Sequence, residues 1–377
     1  MKKSLIALAV FGAFTGAAMA QGSNVQLYGL IDAGVTHYTG LSNGAGGTTS
    51  STGLSSGVQS GDRIGLKGTE DLGGGLNAIF DVETGFCGTG TSQDVATAGG
   101  TPQTYCTGGG FMQRQSWVGL AGNFGTVMAG RQYTAQFDNE AAMDPFGFGL
   151  NGNIGNLSMV KHYGSYRADQ VLSYVTPNLS GFTGVAAYMF AAGKGTVPTA
   201  TQPNVSRAWT LNGQYGNGPI TAGLNYTDFS NATSATTGGV ATGAVKSWQL
   251  YGAYNFGVAK VSGIYEQAKQ DFYSGNEKNW MIGLTVPVGP GAILASYDEN
   301  KNSLALNGTA APSGDTAKQY AIGYTYSLSK QTDLYASYAH ISNGSGTAFA
   351  VGSSTDSFSG VAGQSSSGMA IGMRHMF

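Results

Sequence analysis

Two short stretches place charge on alternate residues. In "DRIGLKG", Arg63 and Lys67 alternate with Ile64 and Leu66; in "LNAIFDVETGF", Asp81 and Glu83 alternate with Ala78, Phe80 and Val82. An extended chain sends successive side chains to opposite faces, so each stretch has one apolar face and one charged face. Asp32 takes the polar parity of "LYGLIDAGV" in the same way. Arg114 shares parity with Ser116 but also with Val118 and Leu120, so either a bulge intervenes or that face is covered by protein. Groups arranged like this can sort ions and dipoles by charge.

Bond-making chemistry finds no support. "GFGLNG" at Gly147–Gly152 has the spacing of a dinucleotide-binding loop but neither follows a clear strand nor opens a helix. "GLSSG" at Gly53–Gly57 sits in a polar loop without the strand–turn–helix that exposes a nucleophile. With 62 glycines in the chain, chance matches of this kind are expected. His37, His162, His340 and His375 are far apart and match no zinc spacing, so no metal, cofactor or enzymatic activity is predicted.

The charged residues lie on strands. Period-two alternation recurs along the whole chain, as in "SWQLYGAYNF", "NWMIGLTVPV" and "KQYAIGYTYSL". Each segment is about ten residues long, which is what a tilted membrane-spanning strand requires. The predicted strands are 25–38, 60–69, 76–86, 111–121, 125–133, 169–176, 181–190, 206–215, 219–229, 246–256, 258–268, 277–286, 291–300, 317–327, 331–341 and 366–377. Short turns such as "EDLGGG", "GNFG" and "VGPG" alternate with long polar connections, among them Gly40–Ser60, Gly88–Gly110 and Asn343–Gln364. That sorting of connections belongs to a barrel in an outer membrane.

The fold class is therefore all-β: a 16-stranded antiparallel transmembrane β-barrel. An even strand count lets "NVQLYGLIDAGV" pair with the closing strand "GMAIGMRHMF" and puts Phe377 in an aromatic girdle. An unpaired edge in hydrocarbon would strand backbone polar groups at several kcal/mol each, so the ends must meet. About sixteen strands leave a lumen wide enough for water.

One connection differs from the rest. "TAQFDNEAAMDPFGFGLNGNIGNLSMVKHYGSYRADQ" is rich in apolar residues and carries Asp138, Glu140 and Asp144. Structureless connections of this length are usually functional. It reads as a loop folded into the barrel with its carboxylates toward the opening, the alternative being one more outward loop. Bases should face it from the wall: Arg63, Lys67 and Arg114, with Arg131 and Arg167 at the two ends of the loop.

The front of the chain, "MKKSLIALAVFGAFTGAAMA", has a basic start, an apolar stretch and a small-x-small ending, so residues 1–20 read as a signal peptide and 21–377 as the barrel. Charged residues make up 10% of the chain, against roughly 25% in ordinary soluble domains. A formal net charge of −2 excludes a strongly basic nucleic-acid binder. In the oxidising compartment that follows, Cys87 and Cys106 are expected to pair, a closure worth roughly 3 kcal/mol; a metal pair lacks other nearby ligands.

The stretches "VQLYGLIDAGV", "GLKGTEDLGGGLNAIFDVETGF", "RQSWVGLAGNFGTVMAGRQY", "LSYVTPNLSGFTGVAAY", "YSLSKQTDLYASYAH" and "IGMRHMF", in order over the whole mature chain, resemble the general diffusion porins of Gram-negative outer membranes, β-proteobacterial type. The resemblance implies a homotrimer of sixteen-stranded barrels, each with a water-filled pore narrowed by its third long loop and open to small hydrophilic solutes and ions. It implies outer-membrane lipid and lipopolysaccharide as surroundings, and an assembly machinery that reads the terminal Phe377. Arg63 and Arg114 match positions where such porins place wall bases, and Asp138, Glu140 and Asp144 fall in the region of the constricting loop. The two cysteines are not part of that pattern.

Overall fold

The computed structural model describes residues 24–89, 111–159, 166–191, 207–230, 235–237, 240–242, 244–271, 273–306 and 314–377. Residues 1–20, expected from the sequence to be a signal peptide, lie outside them. The wall strands are β1 (Asn24–Ser42), β2 (Thr48–Ser56), β3 (Arg63–Gly73), β4 (Leu76–Gly85), β5 (Gln115–Gly122), β6 (Gly125–Tyr133), β7 (Arg167–Val175), β8 (Phe182–Ala191) and β9 (Arg207–Asn217). They continue with β10 (Ile220–Ser230), β11 (Val245–Asn255), β12 (Lys260–Gln270), β13 (Glu277–Val288), β14 (Gly291–Asn302), β15 (Thr316–Ser327), β16 (Thr332–Asn343) and β17 (Ser366–Met376).

Each strand pairs antiparallel with its neighbours, and β1 closes the ring against β17 from Leu30↔Met376 to Thr39↔Ser367. The result is a closed barrel of 16 strand positions, β2 and β3 together filling one of them. Closure is sealed by the last residue: the Phe377 N–H donates to the Gly29 carbonyl and the Gly29 N–H to the Phe377 carbonyl, both at 3.0 Å. A Cβ on Gly29 would stand 2.6 Å from the Arg63 carbonyl oxygen as well as 2.5 Å from the Phe377 ring, so the close backbone approach favours glycine there.

Alternation sorts the wall into an oily outside and a polar inside. Val35, Leu250, Ile322 and Ile371 are exposed outward, whereas Asn225, Ser247, Gln249 and Gln319 are buried on the inner parity. The buried apolar residues do not form a central core. They lie where inward segments meet the wall, as in the cluster of Tyr38, Val58, Phe146, Leu150, Leu157, Val351 and Ile341.

Two connections depart from the expected plan. Gly40–Ser60 is not simply a polar loop: Thr48–Ser56 forms β2 and ladders onto β1 from Ala33↔Ser56 to Ser42↔Thr48. The chain then turns inward over residues 57–62 before β3 resumes pairing with the start of β1. Nor is the connection Asn343–Gln364 an outward loop throughout. Ser354 N–H donates to the Val58 carbonyl at 3.3 Å, Gly352 N–H to Asn156 Oδ1 at 3.1 Å, and Val351 is fully buried. Both segments are built almost wholly of small and polar residues, so neither shows an apolar–polar alternation that would announce it.

Candidate functional site

The long connection after β6 does fold into the barrel. It opens with helix α1 (Ala135–Met143), whose N-cap Thr134 accepts the Phe137 N–H at 3.2 Å. The other end is held by the wall: Lys260 Nζ donates to the Ala142 carbonyl at 3.0 Å, and Ser262 Oγ to the Met143 carbonyl. A cation at the C-terminal carbonyls also complements the helix dipole. Along its length α1 is tied down by Asn139 Nδ2, which donates to Asn212 Oδ1 and Gln249 Oε1 at 3.1 and 3.0 Å.

Beyond the helix the loop is pinned by one carboxylate. Asp144 accepts the N–H groups of Phe146, Phe148 and Ile154 at 2.9–3.0 Å. Leu150 N–H then donates to the Val58 carbonyl at 2.7 Å, joining this loop to the inward segment 57–62. The backbones pass so closely that a Cβ on Gly149 would fall 1.8 Å from the Gln59 carbonyl oxygen.

Against the loop stands a group of arginines. Arg114 Nε donates to Glu83 Oε1 at 2.6 Å, and Arg63 Nη1 lies 3.9 Å from Glu83 Oε2. Arg114 Nη2 and Arg167 Nη2 both donate to the Tyr133 hydroxyl oxygen at 2.7 Å. The Arg167 guanidinium lies 4.3 Å from the Tyr133 ring centroid, a cation–π distance. Three guanidinium groups thus gather around one carboxylate and one phenol. Beside them, the Tyr28 hydroxyl reaches Asp81 Oδ1 at 2.7 Å and Glu83 Oε2 at 3.2 Å, with Lys67 Nζ 5.1 Å from the Tyr28 ring centroid.

Several sequence expectations need correction. Asp32 is on the inner parity but is fully buried: Gln59 and Ser60 N–H groups donate to Oδ2, and the Tyr335 hydroxyl to Oδ1, all at 2.6 Å. It anchors segment 57–62 and does not face open lumen. Asp144 and Glu140 are buried too, at 5% and 0% exposure, because Asp144 folds the loop on itself and Glu140 faces the wall. Asp138 is the least buried of the three loop acids, half-buried and close enough to Arg167 to feel its charge.

Arg131 does not join the arginine group. The ladder sets it opposite Ser116, on the outward parity, where it pairs with Asp169 and donates to the Gln113 carbonyl. Arg114 resolves its ambiguity by lying just before β5, after the irregular backbone at Met112 (φ 60°), so strand parity does not govern it. Cys87 is disulfide-bonded, while Cys106 lies outside the described residues.

Sequence reading missed the aromatic partners. Tyr133 and Phe137 carried no signal as bare aromatics, and their role follows only from the stacking of wall on loop. Arg374 was also missed: it donates to Asp333 Oδ2 through Nε and Nη2 at 3.2 and 2.5 Å, and to Ser60 Oγ at 2.8 Å, beside the inward segment.

A closed barrel with a polar inner face, inward loops and a charged group against the main one defines a membrane diffusion channel. Comparison with known proteins gives the family. Residues 6–346 match the model of the Gram-negative porins, and the chain belongs to that family. It is 36% identical over 386 residues to outer membrane porin protein 32 of Delftia acidovorans, covering all of both chains. It is 31% identical to an outer membrane porin of Bordetella pertussis, again end to end. Among solved structures it is similar to the anion-selective porin from Comamonas acidovorans, with a TM-score of 0.73 and 30% identity over 94% of this chain and 100% of that one. The OmpF of Salmonella typhi, at 17% identity and a TM-score of 0.63, shares the fold. The protein is thus an outer-membrane channel for small solutes and not an enzyme.

Proposed function

We propose that this channel prefers anions, with the preference set by Arg63, Arg114 and Arg167. One observation carries the reading: three guanidinium groups converge on Glu83 and Tyr133, with Arg114 bonded to both, Arg63 3.9 Å from the Glu83 carboxylate and Arg167 joined through the Tyr133 hydroxyl. Selectivity follows the charge of the narrowest ring, so the net charge of the protein is not the guide. Lys67 and Asp81 sit together and offset one another, and Asp138 supplies the opposing charge from the loop. The solved relative named as anion-selective supports the same sign. The test is liposome swelling with anionic, neutral and cationic solutes of equal size. Anions should enter fastest, and Arg63→Gln should narrow the gap; cations entering fastest would reject the reading.

The channel also works as a homotrimer in this reading, after removal of residues 1–20, with Phe377 as the signal to the assembly machinery. Support for the trimer comes from the outer surface. Rings such as Trp248, Tyr265, Trp280, Tyr297 and Tyr320 line one side of the barrel near the long-loop rim. The opposite side, on β17, β1, β3 and β5, presents Ile371, Val35, Ile64 and Val118 instead. Aromatic belts mark contact with lipid headgroups, so the aliphatic side is the one to face neighbours. Lipid and lipopolysaccharide then cover the aromatic side.

A further inference from the structure

Five of the eight lysines among the described residues stand in one row on the aromatic side of the wall. They are Lys246, Lys269, Lys278, Lys301 and Lys318, at the long-loop ends of β11, β12, β13, β14 and β15. The ladder sets Lys246 directly opposite Lys269, and Lys278 directly opposite Lys301. The two pairs are diagonal neighbours, since Lys278 stands opposite Gln267, and Lys318 is diagonal to Lys301 through Glu299. Every lysine is thus a direct or diagonal neighbour of the next.

Like charges directly opposite one another weaken a sheet. Four acids lie near the row: Asp228 opposite Lys246, Asp271 just beyond Lys269, Glu299 and Asp315. They do little to relieve it. Lys301–Asp315 and Lys318–Glu299 are long pairs, at 3.9 and 4.0 Å, whose lysine ends are exposed. Lys246, Lys269 and Lys278 have no ion pair among the described residues. Two opposed lysine pairs are an unfavourable arrangement unless something anionic lies between them.

The position says what that is. Two residues inward along the same parity from Lys246, Lys278 and Lys318 come Trp248, Trp280 and Tyr320, and Tyr265 and Tyr297 complete the belt, with ring centroids 5.0–5.2 Å apart in the tilted and edge-on pairs. Aromatic belts sit at the boundary between hydrocarbon and headgroups. One step further out, flexible lysine stems carry their ammonium groups to headgroup height.

The geometry points to a binding surface for the phosphate groups of a membrane glycolipid along this lysine row, in the leaflet at the long-loop rim. The inference deepens the reading above, which covers this side with lipid, by naming the residues and the headgroup chemistry. Phosphates between Lys246 and Lys269, and between Lys278 and Lys301, would convert each repulsive pair into two attractive ones.

The experiment uses the purified full barrel in mixed micelles of phosphatidylcholine with lipid A, or with lipid A stripped of its phosphates. Lipid retained after detergent washing is counted by mass spectrometry. Each lysine near an anionic surface strengthens binding about fivefold. The combined variant Lys246→Gln, Lys269→Gln, Lys278→Gln, Lys301→Gln should therefore lose phosphorylated lipid A at least about tenfold, with unchanged retention of the stripped form. Lys330→Gln, at the opposite rim, should match the wild type. Equal retention by the combined variant overturns the proposal, as does equal loss of both lipid forms. Displacement by inorganic phosphate beyond that caused by chloride of equal ionic strength would mark a free-anion site and also overturn it. Conductance recorded on the same samples reports the channel separately and should not change, because these lysines face outward.

Discussion

Tyr133 of the wall and Phe137 of the loop helix stack with ring centroids 4.9 Å apart and planes 14° from parallel. The same Tyr133 hydroxyl accepts from Arg114 and Arg167. One phenol therefore joins the arginine group to the element that narrows the lumen, and fixes the spacing between them.

Tyr133→Phe keeps the stack and removes the shared acceptor. Hydrogen bonds to charged groups are worth about 1.5–3 kcal/mol each. The variant should lose stability by an amount in that range and so unfold at a lower temperature in detergent, with its far-ultraviolet spectrum intact. An unchanged midpoint would show that the hydroxyl does not hold the guanidinium groups.

Glu83→Gln removes a carboxylate bonded to Arg114, which is 4% exposed. Breaking a buried pair costs about 3–5 kcal/mol, because the remaining charge is left uncompensated. The variant should be less stable yet more anion-preferring, as read by chemical denaturation and by permeability ratio. A shift toward cations would contradict the charge assignment.

The loop acids should separate by position. Asp138→Asn should raise the anion permeability ratio, since this half-buried side chain lies in the field of Arg167. Asp144→Ala should leave the ratio nearly fixed but loosen the loop, because three backbone N–H groups lose their acceptor. Larger and noisier single-channel steps would register that loosening. Equal effects of the two changes on the ratio would refute the separation.

Glu140 carries a pH dependence. Burial, then the adjacent Glu266 carboxylate, hold its carboxyl well above the ordinary range. Neither Glu140 oxygen meets the geometric criteria for a hydrogen bond among the described residues, so little offsets the cost of charging it. The folded protein keeps a proton that the unfolded chain releases above about pH 4.3. Stability should accordingly fall as pH rises from there, and Glu140→Gln should flatten that slope in denaturation series. Identical slopes would sink the assignment.

Most of the wall was legible from alternation, because a barrel strand repeats one rule along its length. The parities of Arg63, Lys67, Asp81 and Glu83 agree with the ladder for the same reason. Arg114 and Arg131 broke the rule where the backbone did, beside Met112 at φ 60° and Gly130 at φ 136°. Asp32 had the right face but the wrong surroundings, since nothing local reports that segment 57–62 will fold over it. Acids in the long loop looked alike in sequence. Which one caps backbone and which meets water depends on contacts with Gln249, Val58 and Gln319, all distant in the chain.

The most direct test of the arginine account is the zero-current potential of the reconstituted channel in a planar bilayer under a potassium chloride gradient. Steady ohmic steps are expected, with a potential of the sign of chloride preference that falls when Arg63, Arg114 and Arg167 are neutralised in turn. A potential with the sign of potassium preference, or one that all three substitutions leave in place, would contradict it.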